Sequence, residues 1–251
     1  MQLSHLRRRG GGEPLLLLHS LGGMNAQWNP VLDRLAAERE VIAVEMPGFG
    51  SSPPLPDGVA STPGNLAEAV IAFVDGLGLS SAPGIAGISL GSWVAIECAR
   101  RRAVRAAVCL CPAGFWTKPL GPRPNHAYRA ARLARPLAPL LLRIDGLRER
   151  ALATNVHHPE RVPFDDAVAL VRGYGGARGY AESNREMRAS TVGDLSDVEV
   201  PLTIAWAEFD RLVRSRPLLP DSVRQLTLPG CGHVPTWDDP ELVAEVILKG
   251  A

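Results

Sequence analysis

At 251 residues, with 46% hydrophobic and 21% charged positions, the chain has room for one large domain, or a domain carrying a sizeable insertion, and its composition is that of an ordinary globular protein. A formal net charge of +1 offers no general attraction to nucleic acid or to an anionic membrane surface, so neither is expected as a partner. No apolar run approaches the roughly 18 residues that would span a bilayer, and the opening MQLSHLRRRGGGEP has no apolar stretch ahead of a cleavage site, so a cytoplasmic location is expected.

Lys118 and Lys249 are the only lysines, and this arginine bias, with abundant Ala, Gly and Pro, suits a GC-rich bacterial genome. The four cysteines, Cys98, Cys109, Cys111 and Cys231, show no C-x-x-C spacing. They are expected to be small, buried and reduced, with Cys109 and Cys111 facing the same way on a strand.

In chain order, LSHLRRR alternates weakly and reads as an edge strand before a Gly-rich turn at 10–12. PLLLLHS at 14–20 is a continuous apolar run, the pattern of a strand buried on both faces. WNPVLDRLAAE at 28–38 puts Val31, Leu32 and Leu35 on one helical face, and EVIAVEMPG at 40–48 is again strand-like. GFGSSPPLPDG is a loop by composition, and NLAEAVIAFVDGLGL at 65–79 predicts an amphipathic helix that starts at Asn65 and loses its period at Gly76 and Gly78.

GIAGISLGSWVAI at 84–96 predicts a buried strand, a turn at Ser89 and a helix to about Arg101. VRAAVCLCPAG supplies another buried strand. PLTIAWAEFD at 201–210 predicts a strand ending in acidic residues, VRQLTLPGCGH at 223–233 a shorter strand running into a glycine turn, and PELVAEVILKGA a last helix opening at Pro240. This alternation implies an α/β fold with a mostly parallel central sheet and helices on both faces.

Residues 113–195 break the rhythm. RAARLARPLAPLLLRI and PFDDAVALVRGY have helical period interrupted by proline, and no strand is evident. The expected organisation is a core of 1–112 and 196–251 with a helical cap, or lid, inserted at 113–195. The insertion holds 13 basic residues against 8 acidic ones, a balance of +5 that leaves −4 for the remainder. A solvated helical surface accounts for this; the sharper alternative is a lid biased toward anionic substrates.

Ser89 sits between Gly87 and Gly91, where small residues serve either close packing or the exposure of a nucleophile. A neutral serine is a weak nucleophile and needs a base within hydrogen-bond reach and a group to orient that base. A G-x-S-x-G turn presents it at a strained strand–helix junction, a strain costing about 1–3 kcal/mol. Ligands of parallel sheets bind at the carboxyl ends of strands. Asp210 stands just past one such end and His233 past another, on a glycine-rich turn. Glu208 competes with Asp210 as the acid; Asp210, farther out in the loop, is preferred. The backbone N–H groups of Leu21 and Leu90 are the candidate oxyanion donors. His19 is expected to organise its loop rather than act as a second base. Trp28, Phe115, Trp116 and Trp237 are candidate walls of a substrate pocket.

HSLGG, MPGFGSS, GISLGS, AEFDRLV and GCGHVPTWDDPELV, in that order from about residue 14 to 248, resemble the successive signature segments of the α/β-hydrolase superfamily. The resemblance implies a catalytic triad of Ser89, His233 and Asp210, an oxyanion hole from the Leu21 and Leu90 amides, and a helical cap at 113–195. It implies a serine hydrolase that cleaves a small-molecule carboxylic ester or lactone through an acyl-enzyme on Ser89, with no cofactor and no metal. The alternatives are a cofactor-free haloperoxidase-like perhydrolase, a hydroxynitrile lyase, or a ligand-binding protein that kept the turn. Epoxide and haloalkane hydrolases need a carboxylate nucleophile at position 89. Two departures stand out: His19-Ser20 replaces the usual His-Gly, and Ile88, which cannot hydrogen-bond, precedes the nucleophile. Neither the substrate nor the oligomeric state is legible.

Overall fold

Runs of buried apolar residues fix the frame. The computed structural model describes residues 1–122 and 124–251; Arg123, one of the insertion's arginines, lies outside them. Among the described residues one sheet holds seven strands: β1 His5–Arg8, β2 Pro14–Leu18, β3 Glu40–Val44, β4 Gly84–Ile88, β5 Ala106–Leu110, β6 Leu202–Ala207 and β7 Val223–Leu228. Their spatial order is β1-β3-β2-β4-β5-β6-β7, with β1 antiparallel to β3 and every other pairing parallel. β2, β4, β5 and β6 are buried at every position, which is why their sequences are continuous apolar runs rather than alternating ones. β1 and β7 are the edges, and both are less buried than the strands between them.

Helices α1 Asn29–Ala36, α2 Pro63–Asp75 and α3 Leu90–Arg100 join the first five strands. Between β5 and β6 lie α4 His126–Ala134, α5 Ala138–Leu141, α6 Asp145–Leu152, α7 Phe164–Gly176 and α8 Tyr180–Arg188, and α9 Pro240–Gly250 closes the described chain. Because strand side chains alternate between faces, the core divides in two. Leu16, Leu18, Ile42, Val44 and Ile85 pack with α2 and α3, while Leu15, Leu17, Val41, Ala43, Ala86 and Ile88 pack with α1 and α9. All four cysteines are free and buried. Among the described residues no helix is long and apolar enough to cross a membrane.

Local chemistry moves one predicted boundary. α2 begins at Pro63, two residues before Asn65, because proline at the first helical position gives up an amide that lacks a helical partner anyway. Thr62 caps it, its hydroxyl accepting the Asn65 N–H at 3.1 Å, and the Asn65 side chain donates to the Ala60 carbonyl. α9 opens at Pro240 as its sequence predicts, with the Asp239 carboxylate accepting the Leu242 N–H.

Two predicted helical stretches at 113–195 become five helices. The ends of the insertion are tied to each other: Val192 N–H donates to the Gly114 carbonyl, Leu120 N–H to Arg188, and the Trp116 indole to Ser190. Part of its contact with the core falls at the carboxyl ends of the strands. Gly179 N–H donates to the Gly48 carbonyl past β3, and Tyr174 and Tyr180 lie against Gly22 past β2.

β2, β4 and α3 approach so closely at the Ser89 turn that side chains there have no room. A Cβ on Gly87 would overlap the Gly91 carbonyl, and one on Gly91 would overlap the Leu18 carbonyl, both backbone atoms that cannot swing aside. Gly91→Ala is therefore expected to destabilise the fold by at least about 2 kcal/mol, read as a lower urea midpoint at an unchanged slope.

Candidate active site

The backbone of Ser89, between the last residue of β4 and the first of α3, is at φ 56° and ψ −111°, a region that L-residues other than glycine rarely occupy. Strain of that kind persists only where neighbours over-determine it. Here Ser89 N–H donates to the Leu110 carbonyl at 2.9 Å, and the Ser89 carbonyl accepts from Ala113 and Trp93. The Ser92 hydroxyl lies within hydrogen-bond distance of the Gly87 and Leu110 carbonyls, tying β4 to β5 beneath the turn. Ser89 is 6% exposed.

Asp210 follows β6 and His233 follows β7. The ring Nδ1 of His233 is 2.8 Å from Asp210 Oδ2, with both side chains almost fully buried. Asp210 Oδ1 accepts the N–H groups of Leu212 and Val213 at 2.7 and 2.8 Å. Burial by itself would raise the Asp210 carboxyl, but the hydrogen bond and charge of His233 and the two backbone amides outweigh it and hold it below the ordinary carboxylate value. An ionised carboxylate only accepts, so the proton of this bond sits on Nδ1, and in the neutral form of the ring Nε2 is the acceptor. Glu208 instead accepts the Gly230 N–H at 2.9 Å.

Cys111 lies beside this pair. It is the residue after Leu110, whose carbonyl holds Ser89 N–H, and its sulfur, a nitrogen of His233 and an oxygen of Asp210 all lie within 4.8 Å of one another. Such a trio has the donor atoms of a metal site. Burial, followed by the charge of Asp210, pushes the Cys111 thiol far up, and the histidine and aspartate already satisfy each other. A protonated thiol is a poor ligand, so the group fits a hydrogen-bonded pair packed on neutral sulfur better than a metal centre.

The turn after β2 is closed by Gly23 N–H on the Ser20 carbonyl at 2.8 Å, with Gly22 at φ 76°, which leaves the Leu21 amide outside the turn's own hydrogen bond. Leu90 is the first residue of α3, so its amide has no helical partner. His19 is fully buried: its Nδ1 donates to the Ser20 carbonyl and its Nε2 accepts the Met46 N–H, so the ring joins two loops. Ser20 is held by Gln27, whose side-chain oxygen accepts the Ser20 N–H and whose nitrogen donates to the Ser20 hydroxyl. The Gln27 carbonyl in turn accepts the Thr236 hydroxyl, linking this turn to the loop of His233.

Two organising residues escape a reading of the sequence. Gln27 looks like a surface residue at the start of a helix. Asp238 looks like one of two acids preceding a helix, yet it is buried, and its carboxylate accepts three backbone amides: Gly232 at 2.8 Å, His157 at 3.1 Å and His158 at 2.7 Å. It thereby clamps the His233 loop to residues 155–158 of the insertion, where Val234 N–H also donates to the Asn155 carbonyl. The His157 ring stacks on Phe209, next to Asp210, at 4.0 Å between centroids. The only sequence signal for Asp238 is its place within GCGHVPTWDDPELV.

The four candidate aromatics separate. Phe115 packs edge-on against Trp206, and the half-buried Trp116 packs edge-on against Trp93. Trp28 has no exposed surface and sits with Val31 and Leu35 in the core under α1, so it offers no face to an open pocket; Trp237 belongs to the same cluster and points its indole nitrogen at Asp166.

A family model described as the alpha/beta hydrolase family matches residues 15–246. The dihydrolipoyllysine-residue acetyltransferase component of the acetoin cleaving system of Cupriavidus necator is 29% identical over 190 residues, 71% of this chain. The chain spans 49% of the length of that relative and 63% of its Pseudomonas putida counterpart. Epoxide hydrolase EphH of Mycobacterium tuberculosis is 29% identical over 72% of this chain and 91% of its own length. Among solved structures, the enol-lactonase from Burkholderia xenovorans LB400 superposes with a TM-score of 0.71 at 18% identity, covering 98% of this chain and 95% of the other, a likeness of fold.

Asp238→Ala would strand three buried amide donors and is expected to cost about 3 kcal/mol, with hydrogen exchange quickening first at the amides of Gly232, His157 and His158. Burial, opposed by the Ser20 carbonyl bond and the charge of Glu45, lowers His19 from its ordinary 6.5 to about 4. The folded state therefore stays unprotonated there while the unfolded chain takes up a proton, so stability is lost as pH falls from 6.5 toward about 4. Against wild type, His19→Gln is expected to lack about one proton of uptake on unfolding near pH 5, measured from the pH dependence of the unfolding free energy.

Proposed function

The chain belongs to the alpha/beta hydrolase family, and from that premise we propose that it is a serine hydrolase cleaving a carboxylic ester or lactone through an acyl-enzyme on Ser89. The observation that carries the reading is the strained backbone of Ser89 at the carboxyl edge of the sheet, the edge that also holds the hydrogen-bonded His233 and Asp210. Arg102 and Cys111 also have positive φ, so the support comes from the pairing of the Ser89 strain with the His233–Asp210 pair on the same edge.

In the proposed reaction His233 Nε2 takes the Ser89 hydroxyl proton while Nδ1–H stays on Asp210, whose negative charge stabilises the imidazolium that forms. The serine oxygen attacks the carbonyl carbon, and the Leu21 and Leu90 amides receive the developing oxyanion. His233 then protonates the leaving alcohol, which departs from an ester and stays tethered in a lactone. Water, deprotonated by the same nitrogen, releases the acid. Residues 113–195 act as the cap that selects the substrate, with Phe115 and Trp116, where the insertion leaves the core, the aromatics placed to border it.

One relative bears the name of an epoxide hydrolase. A carboxylate nucleophile opens an epoxide to an ester that water can cleave, whereas a serine would leave an ether that water cannot; Ser89 supports acyl chemistry. Two relatives are named acetyltransferase components. Transfer to an acceptor other than water would use the same acyl-enzyme.

With a panel of neutral and anionic acyl esters and lactones, the protein is expected to turn over at least one class, and Ser89→Ala to lose about 10⁶-fold in kcat, roughly 8 kcal/mol, with its unfolding midpoint retained. Turnover that survives Ser89→Ala would overturn the assignment.

A further inference from the structure

A cavity of about 430 Å³ opens in the insertion, lined by Tyr128, Arg132, Arg135, Pro136, Gly175, Gly176 and Arg178. Its size falls in the range of roughly 300–1,000 Å³ that small-ligand sites occupy. Three of its seven lining residues are arginines and none is acidic. We infer that this cavity binds a small organic anion through a dianionic head, a phosphate monoester or a dicarboxylate.

The charge balance is the first argument. Several arginines pair with acids, Arg100 and Arg101 with Glu97, Arg148 with Asp145, and Arg185 with Glu182 and Glu186. Among the described residues none of Arg132, Arg135 and Arg178 forms an ion pair with a carboxylate. α7 ends at the cavity at Gly176, and its last carbonyls carry about −0.5 charge, while α4 runs on through a 3-10 turn at Arg135–Leu137. Three guanidinium charges against that leave an excess of about +2 or slightly more, enough for a dianion.

The shape of the floor is the second. Gly175 lets α7 lie on the backbone of α4 at Ala131, and a Cβ on Gly176 would come within 3.0 Å of the Arg135 guanidinium carbon. The two glycines keep the floor bare beside Arg135. Arg178 is tethered from below by the Ser52 carbonyl at 3.4 Å. Planar guanidinium forks bind phosphate and carboxylate oxygens in pairs, which an ammonium cannot do.

The third is the wall. Tyr128 donates its hydroxyl to the Ala177 carbonyl and stacks on Tyr180 at 4.6 Å, and Tyr180 and Tyr174 reach the Gly22 turn. Tyr128, 8% exposed, is the aromatic among the seven lining residues, and the tyrosine cluster behind it reaches the loop that bears Leu21. The inference goes beyond the hydrolase reading and does not depend on it.

Calorimetry on the full chain with phenyl phosphate, phthalate and, as the neutral control, phenol tests this without any turnover. At least one of the two dianions is expected to bind saturably at one site, the tighter of them identifying the head, with affinity falling as salt rises. Arg132→Gln/Arg135→Gln is expected to weaken that binding on the order of 10-fold or more; Gly176→Val, which keeps every charge and fills the floor, should weaken it as well, while Arg224→Gln on the exposed edge of β7 should not. Absence of saturable binding, equal binding of phenol, or equal weakening by the double variant and Arg224→Gln would overturn the proposal.

Discussion

One residue held in an unfavourable backbone conformation organises the molecule around it. Ser89 at φ 56° can persist only because four backbones meet beneath it. β4 delivers it, and β5 holds its amide through Leu110. α3 starts from it at a distance only glycine permits, and β2 passes against Gly91. The burial of four consecutive sheet strands on both faces makes this crossing rigid enough to bear the strain.

The loops around that turn are joined to one another rather than to the strands alone. Gln27 holds the Ser20 turn and hands its carbonyl to Thr236, three residues past His233. His19 ties the same turn to Met46 after β3. Asp238 binds the His233 loop to residues 157 and 158 of the insertion. Movement of the insertion is therefore mechanically coupled to the imidazole through a buried carboxylate. The aromatic and basic surface at Tyr128 lies on the other side of the same insertion, against the Gly22 turn. The insertion and the loop that carries His233 share a set of hydrogen bonds.

Much of this was legible in the residues, for identifiable reasons. A strand buried on both faces must be apolar throughout, so β2 to β6 announce themselves, and a turn that needs two tight backbone approaches demands the glycines that flank Ser89. Asp210 and His233 are legible because strand ends in parallel sheets are where polar residues interrupt apolar runs. α2 starts two residues before the Asn65 that the sequence suggests, because proline reads as a breaker although it suits a first turn. Five helices in the insertion show in the sequence as two stretches, since α6 is polar with little period and α8 is a short, polar helix of nine residues. Asp238, Gln27 and the arginine cavity depend on contacts between segments remote in sequence, as does the seating of Trp28 and Trp237 in the core. No local pattern encodes them.

The proposed acyl chemistry requires the Ser89 hydroxyl to face a base on one side and two amides on the other. The most direct measurement is a crystal structure of the protein after reaction with an alkyl fluorophosphonate. Expected is a single covalent bond from Ser89 Oγ to phosphorus, with the phosphoryl oxygen within hydrogen-bond distance of the Leu21 and Leu90 amides and His233 Nε2 beside the serine oxygen. Phosphorus on another residue, or a phosphoryl oxygen turned away from both amides, would contradict it.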